Sequence, residues 1–384
     1  MPGDLTHVTP VHIVGAGPAG LATAAALRAR GIRSVVLEKG AEAGTSWQGH
    51  YDRLHLHTTR ALSGLPGLPI PRSYGRWVAR DDVLRYLRAY AEHHELEIVT
   101  GVEVTRVDRA PDGGGWVLRA TGGRVLNSPT VVIATGHNHT PHLPQWPGLD
   151  TYGGTVLHAS EYRNAAPFAG QDVLVVGTGN TGTEIAVDLT EGDAKRVRIA
   201  VRTLPHIVRR TTLGWPAQRN GIMVRRLPVR FVDRVAARLD RMSTPDLGEY
   251  GLPRPASGLY TRVLEGAIPV QDVGFIRAVQ SRRVLPVPSV HSFAKDRVIL
   301  GDGTEITPDV VIAATGYRRG LEPLVGHLDA LDAHGAPRAH GARTLPDAPG
   351  LHFTGYTNPI SGMLREIALD AERIARTVTR SRRA

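Results

Sequence analysis

Two glycine clusters have the residue types and spacing that binding a dinucleotide requires. Gly15-x-Gly17-x-x-Gly20 directly follows the β-branched run 11–14 and directly precedes an Ala/Leu-rich stretch, 21–30. In a strand–turn–helix the first glycine permits the tight turn and the second lets backbone approach a pyrophosphate. The third lets the helix press on the strand. Helix amides and the positive dipole end then face the diphosphate, with Pro18 and Ala19 completing the turn. Glu38, followed by Lys39, ends the next apolar run about twenty residues on, where a carboxylate accepts a hydrogen bond from a ribose hydroxyl. The plain alternative is a structural turn with a surface Glu; the ordered context of strand, helix and acid weighs against it.

The pattern recurs. Residues 172–176 are a second apolar run, Gly177-Thr178-Gly179-Asn180-Thr181-Gly182 repeats the spacing, and 183–190 reads as helix. Two such units mean two dinucleotides, or one dinucleotide and a decayed copy. All three glycines persist, which favours two sites. The next strand, 196–201, closes on Arg202 where the first unit has an acid. A guanidinium pairs bidentately with a 2′-phosphate that a carboxylate repels, so the second site reads as NADPH in preference to NADH. Against this stands an exposed arginine in an arginine-rich chain; Arg209 and Arg210 are auxiliary candidates.

These clusters need parallel sheets to position them. Residues 130–135 form a continuous apolar strand ending in Ala134-Thr135-Gly136, and 309–315 a second, ending in Ala314-Thr315-Gly316-Tyr317. Such runs suit strands buried on both faces. Asp81 is placed to cap a helix over 82–93, and 102–107 with 116–120 read as antiparallel strands. Residues 40–72 form a long Gly/His/Pro-rich irregular segment, a kind that is usually functional. A last helix is expected over 361–377, with Ser361 and Met363 at its N-terminus. Residues 222–239 mix Arg with apolar residues at helical spacing, broken by Pro228. That pattern suits a helix over a substrate channel or subunit contact better than an interfacial membrane helix, because the break leaves no clean apolar face.

The fold class is α/β: two Rossmann-like dinucleotide-binding domains, the second inserted in the first. The boundaries are 1–168 for the first part of the outer domain, 169–317 for the inserted NADPH domain with a helical insertion over about 213–281, and 318–384 for the second part of the outer domain. At 384 residues the chain suits roughly two domains. The absence of cysteine excludes disulfides, thiolate metal sites and a redox dithiol, and no metal site is expected. The 46 basic residues against 36 acidic ones give a net charge of +10, but only Lys39, Lys195 and Lys295 are lysines and the arginines are scattered. Scattered charge argues against a nucleic-acid partner. With no apolar run of spanning length and no signal-like N-terminus, no integral membrane association is expected and the location reads as cytoplasmic.

Taken in order, the motifs resemble those of the NADPH-dependent flavin-containing monooxygenases, particularly the plant YUCCA-type and related bacterial members. They are the first glycine turn, Gly44-x-x-Trp47 with Tyr51-Asp52-Arg53-Leu54, Ala134-Thr135-Gly136, the second glycine turn and Ala314-Thr315-Gly316-Tyr317. Between them lies the linker Tyr152-x-Gly154-x-x-x-His158-x-x-x-Tyr162. Tyr152 stands where the family has Phe, and Tyr162 where Baeyer–Villiger relatives have Trp. That favours heteroatom oxidation or YUCCA-like chemistry over ketone-to-ester conversion.

The resemblance implies FAD in the first site, with Trp47 and Val104 among its contacts, and NADPH in the second. It implies a C4a-hydroperoxyflavin that passes one oxygen atom of O2 to a small molecule by N- or S-oxidation or by oxidative decarboxylation of a 2-oxo acid. Gly154, His158 and Tyr162 then support closure of the domains, and Asn180 with the Thr315-Gly316 loop retains NADP+. His57 falls where animal members place an Asn near the flavin, so it is the catalytic candidate; a structural His bonded to backbone is the alternative. Ser361 and Met363 bring helix amides to the flavin N1–C2=O edge. A NADPH:acceptor oxidoreductase without oxygen insertion is the enzymatic alternative, and a dinucleotide-sensing scaffold the non-enzymatic one. A homodimer is compatible with the sequence.

Overall fold

A computed structural model describes residues 9–212, 214–224 and 227–383. The chain forms two compact units. The first holds the residues up to 49, 58–140 and those from 317 onward; the second holds 50–57 and 141–316.

In the first unit β1 (Val11–Val14) leads into α1 (Pro18–Arg28) and β2 (Ser34–Leu37). All four residues of β1 are buried, which is why it carries no polar alternation. Small side chains let α1 bury residues 19–27 without a break. Helix α2 (Arg80–His93) and β3 (Ile98–Val99) follow. The N-cap of α2 is Ala79, so Asp81 does not cap it; Asp81 and Asp82 lie inside the first turn, facing the positive end of the dipole. Strands β4 (Val104–Arg109), β5 (Trp116–Ala120) and β6 (Arg124–Ser128) form an antiparallel sheet. Strand β4 starts two residues later than expected, and β7 (Val131–Ile133) pairs in parallel with β1.

The second unit contains β8 (Thr155–His158), β9 (Asp172–Val176), α3 (Asn180–Glu191) and β10 (Arg196–Val201). Helices α4 (Ala217–Val224), α5 (Val229–Ser243) and α6 (Leu259–Leu264) precede β11 (Val284–Pro288) and β12 (Val310–Ala313). The five strands are parallel in the order β11-β10-β9-β12-β8. Thr155 of β8 faces Val310 of β12. This pairing draws residues 141–168 into the second unit, so the division falls at 140 and not at 168.

Pro228 interrupts the 222–239 stretch as expected, but it is the N-cap of α5. The register therefore runs unbroken to Ser243 and aligns Phe231, Val235, Leu239 and Met242, all exposed. The absence of a clean apolar face was thus a misreading. Leu213, the expected start of the insertion, and residues 225 and 226 lie outside the described residues, as do the first eight.

The chain then returns to the first unit through β13 (Leu351–Phe353), which completes the parallel order β13-β7-β1-β2-β3. Helix α7 (Met363–Ser381) packs on α1 and buries Leu364, Ile367, Ala371, Ile374 and Val378 at helical spacing. It begins at 363 instead of 361 because Gly362 has φ +100°, a backbone no helix admits. No helix among the described residues is long and apolar enough to cross a membrane.

Candidate nucleotide-binding and active site

The first cradle is built by backbone proximity. Gly15 has φ +106°, and a Cβ placed on it would lie 2.6 Å from the Ala134 carbonyl oxygen. A Cβ on Gly20 would lie 1.9 Å from the Gly15 carbonyl oxygen, whereas one on Gly17 would meet nothing within 4 Å. Two glycines thus close the fold and the third leaves open space beside the N-terminus of α1, the geometry a diphosphate needs.

Glu38 is buried. Its carboxylate accepts hydrogen bonds from the Ala16 amide at 2.7 Å and the Gly40 amide at 2.7 Å, so it ties the glycine turn to the end of β2. Each oxygen retains a lone pair for a ribose hydroxyl. The Lys39 ammonium stands 3.2 Å from His139 Nε2, and Trp47 is half-buried on a short helical turn.

Val104 sits in the core with Val14, Leu37 and Trp116. The Tyr356 hydroxyl lies 2.8 Å from Thr135 Oγ1 and accepts from the Thr135 amide; burial raises its pKa to about 12. Ser361 precedes α7 and donates to Glu366 Oε1 at 2.7 Å. Met363 opens the helix, where the first amides lack intrahelical acceptors. Tyr356 and the dual anchoring of Glu38 were not foreseen.

The second cradle repeats the first. Gly177 has φ +118° and a Cβ on it would lie 2.5 Å from the Ala314 carbonyl oxygen. A Cβ on Gly182 would lie 2.0 Å from the Gly177 oxygen, and one on Gly179 would again meet nothing within 4 Å. Arg202 is exposed, and no ion pair or hydrogen bond engages its side chain among the described residues. Asn180 faces an unforeseen demand: its Oδ1 accepts from the Gln271 amide at 2.8 Å and its Nδ2 donates to the Pro269 carbonyl at 3.3 Å. The side chain therefore clamps the 269–271 backbone to the start of α3.

The linker residues brace this unit. Gly154 is required because a Cβ there would lie 2.5 Å from the Tyr152 ring. The Ser160 amide donates to His158 Nδ1 at 3.1 Å, so Nε2 carries the proton and donates to the Gly316 carbonyl at 3.0 Å. Burial lowers the His158 pKa, against the raising effect of that carbonyl, which keeps the ring neutral. His158 thereby holds the loop in which Thr315 Oγ1 donates to the His142 carbonyl. Tyr317 falls just beyond, at the start of the first unit's last segment.

Residues 50–57 fold with the second unit, which the sequence did not reveal. They dock on an acidic edge of α3 formed by Glu184, Asp188 and Glu191 at spacings of four and three. Tyr51 donates to Glu184 Oε2 at 2.8 Å, and Arg53 meets Asp188 at 3.2 Å and Glu191 at 2.9 Å. His57 Nε2 lies 3.0 Å from Glu184 Oε1. Burial pushes the Glu184 pKa up, but His57, Tyr51 and the Arg210 charge outweigh it and hold the carboxyl below its ordinary value. Tyr51 is pushed well above its own, by burial first and by Glu184 second. The helix supplies the signal in retrospect: the 184, 188 and 191 spacing puts three acids on one edge of α3.

Two parallel α/β units, each with a glycine cradle open at its central glycine, define a protein built for two dinucleotides. The chain matches the pyridine nucleotide-disulphide oxidoreductase family over residues 12–212. It is 34% identical over 356 residues to an indole-3-pyruvate monooxygenase of Oryza sativa subsp. japonica, YUCCA1, spanning 92% of this chain and 87% of that protein. Among solved structures it is similar to a flavin-containing monooxygenase from Stenotrophomonas maltophilia, with 26% identity, 97% and 98% coverage and a TM-score of 0.72. An open form of cyclohexanone monooxygenase, 18% identical, covers 99% of this chain and 89% of its own at a TM-score of 0.73; at that identity the likeness speaks for fold alone. The chain belongs to the flavin-containing monooxygenase family. It is an FAD- and NADPH-dependent enzyme that transfers oxygen to a small substrate.

Proposed function

We propose that the chain oxidatively decarboxylates an arylalkyl 2-oxo acid. The reaction takes R-CH2-CO-COOH, O2, NADPH and a proton to R-CH2-COOH, CO2, H2O and NADP+. The supporting observation is the 34% identity with an indole-3-pyruvate monooxygenase across 92% of the chain. Bound FAD supplies the redox chemistry, taking hydride from NADPH and activating O2.

The chain's own residues bind and orient. Gly15, Gly17, Pro18, Ala19 and Gly20 receive the FAD diphosphate, and Glu38 the adenosine ribose. The Thr135-Gly136 turn, Ser361 and the first amides of α7 lie in the same unit; the amides offer partial positive charge to an anionic flavin edge. Gly177, Gly179, Thr181 and Gly182 receive the NADPH diphosphate, with Arg202 on its 2′-phosphate. Asn180 serves by fixing the cradle's wall through the 269–271 backbone. His57 is the candidate for contact with reacting groups. Trp47 and Lys39 serve the flavin cradle of the first unit, and the Thr315-Gly316 loop serves the NADPH cradle of the second.

Incubation of the FAD-loaded enzyme with NADPH, O2 and a panel of 2-oxo acids, amines and sulfides tests this reading. A carboxylic acid one carbon shorter, with CO2 released, is the expected product. N-oxides or sulfoxides formed in its place would overturn the decarboxylation.

A further inference from the structure

The contact between His57 and Glu184 is unlike the other ion pairs of the second unit. Glu184 is buried on α3, four residues beyond Asn180, and its side chain is 3% exposed. Tyr51 satisfies Oε2 with a 2.8 Å hydrogen bond. Oε1 lies 3.0 Å from His57 Nε2 and has no other hydrogen-bond partner among the described residues. On the other side of the same imidazole, Nδ1 is buried and has no hydrogen-bond partner among the described residues.

A buried imidazole nitrogen without a partner is costly, as is a carboxylate oxygen without a directed donor. Both defects meet on one His–Glu pair within a fold that satisfies most of its buried polar groups. The carboxylate is also held ionised. Burial opposes its charge, but Tyr51, His57 and Arg210 face it and prevail. An ionised acceptor at Nε2 keeps the proton on that nitrogen and fixes which face of the ring is left over. What is left over is Nδ1.

We propose that Glu184 is the positioning residue for His57: its carboxylate, 3.0 Å from Nε2, sets the ring's tautomer and orientation. Tyr51 holds the carboxylate in place from the other oxygen. In catalysis the inference rests on the chain being the monooxygenase proposed above; the state of the ring does not.

Two measurements on the FAD-loaded protein test it. Side-chain 15N spectra of histidine-labelled enzyme, with the His57 signal assigned by its loss in His57→Gln, report the tautomer without substrate or turnover. The wild type is expected to carry the proton on Nε2, and Glu184→Gln to mix the tautomers. An identical His57 spectrum in both would overturn the proposal.

The second is a double-mutant cycle on kcat. His57→Gln and Glu184→Gln are each expected to lower kcat about 10–100-fold, as loss of an orienting partner does, with KM for NADPH within about twofold. The double variant should lose no more than His57→Gln alone. Multiplicative losses would show that Glu184 acts independently of His57 and would overturn the assignment. Should Glu184→Gln fail to fold, Glu184→Asp keeps the charge but withdraws the oxygen, and the same outcomes apply.

Discussion

Tyr162 donates its hydroxyl to Asp188 Oδ2 at 2.6 Å while its ring stacks on Phe168 with centroids 5.6 Å apart. The phenol is 1% exposed, and burial together with Asp188 pushes its pKa far above the ordinary value. It is therefore a permanent donor at all working pH values. Asp188 also receives Arg53, so the linker tyrosine and the 50–57 segment share one anchor on α3. Tyr162→Phe keeps the stacking and removes the donor. The expected loss is about 1–3 kcal/mol, typical for leaving a charged acceptor short of one bond, read as a lower urea midpoint with unchanged slope.

The glycines divide by what a methyl group would strike. Gly20→Ala and Gly182→Ala drive a Cβ to about 2 Å from a carbonyl oxygen of their own turn. Both should therefore yield unfolded or misassembled protein. Gly17→Ala meets no protein atom within 4 Å and should fold, with the far-ultraviolet circular dichroism of the wild type. Its methyl group enters the space a diphosphate needs, so it should be purified colourless. A yellow, stoichiometrically loaded Gly17→Ala would remove FAD from the first cradle.

Arg202 carries the coenzyme preference in this account. Arg202→Ala should raise the KM for NADPH about 10–100-fold, the worth of a charge-assisted bidentate contact, and leave NADH kinetics nearly unchanged. Equal loss with both coenzymes would assign the residue another task. Unchanged kinetics would return it to the exposed arginine surface.

Much of this was legible in the residues, and the exceptions have physical causes. The glycine spacings, the buried parallel strands and the acid-versus-arginine contrast are local signals. Each depends on a few consecutive residues and on steric rules that tertiary context does not override. The docking of Tyr51, Arg53 and His57 on α3 joins positions more than a hundred residues apart, and no local pattern announces it. The same holds for β8, whose pairing with β12 moved the division of units to 140. At the start of α7, one backbone angle at Gly362 moved the first helical residue from the expected 361 to 363, and composition does not encode that angle. The α5 register was misread because a proline inside a stretch and a proline at an N-cap look alike until the helix start is known.

Stability should fall on acidification through buried histidines. His352 is buried in β13, with Nδ1 on the Gly341 carbonyl at 3.0 Å. Burial lowers its pKa, against the raising effect of that carbonyl; His12, in β1, is lowered mainly by burial as well. A folded pKa below the unfolded value means the unfolded chain takes up protons first. Stability is thus full above about pH 6.5, the unfolded histidine value, and is lost as pH falls below it. Each such group contributes a slope approaching 1.4 kcal/mol per pH unit between its two pKa values. Urea midpoints measured from pH 7.5 to 5.5 should fall, and His352→Gln should flatten the decline. An equal slope in the variant would show that His352 is not among the groups responsible.

The central claim is that two tandem nucleotide cradles serve the transfer of one oxygen atom from O2 to an organic molecule. Turnover under 18O2, with NADPH consumption and labelled product quantified together, tests it most directly. The account predicts one labelled atom in the product and one NADPH consumed per product formed. NADPH oxidation that yields only hydrogen peroxide, with no labelled product from any 2-oxo acid, amine or sulfide, would contradict it.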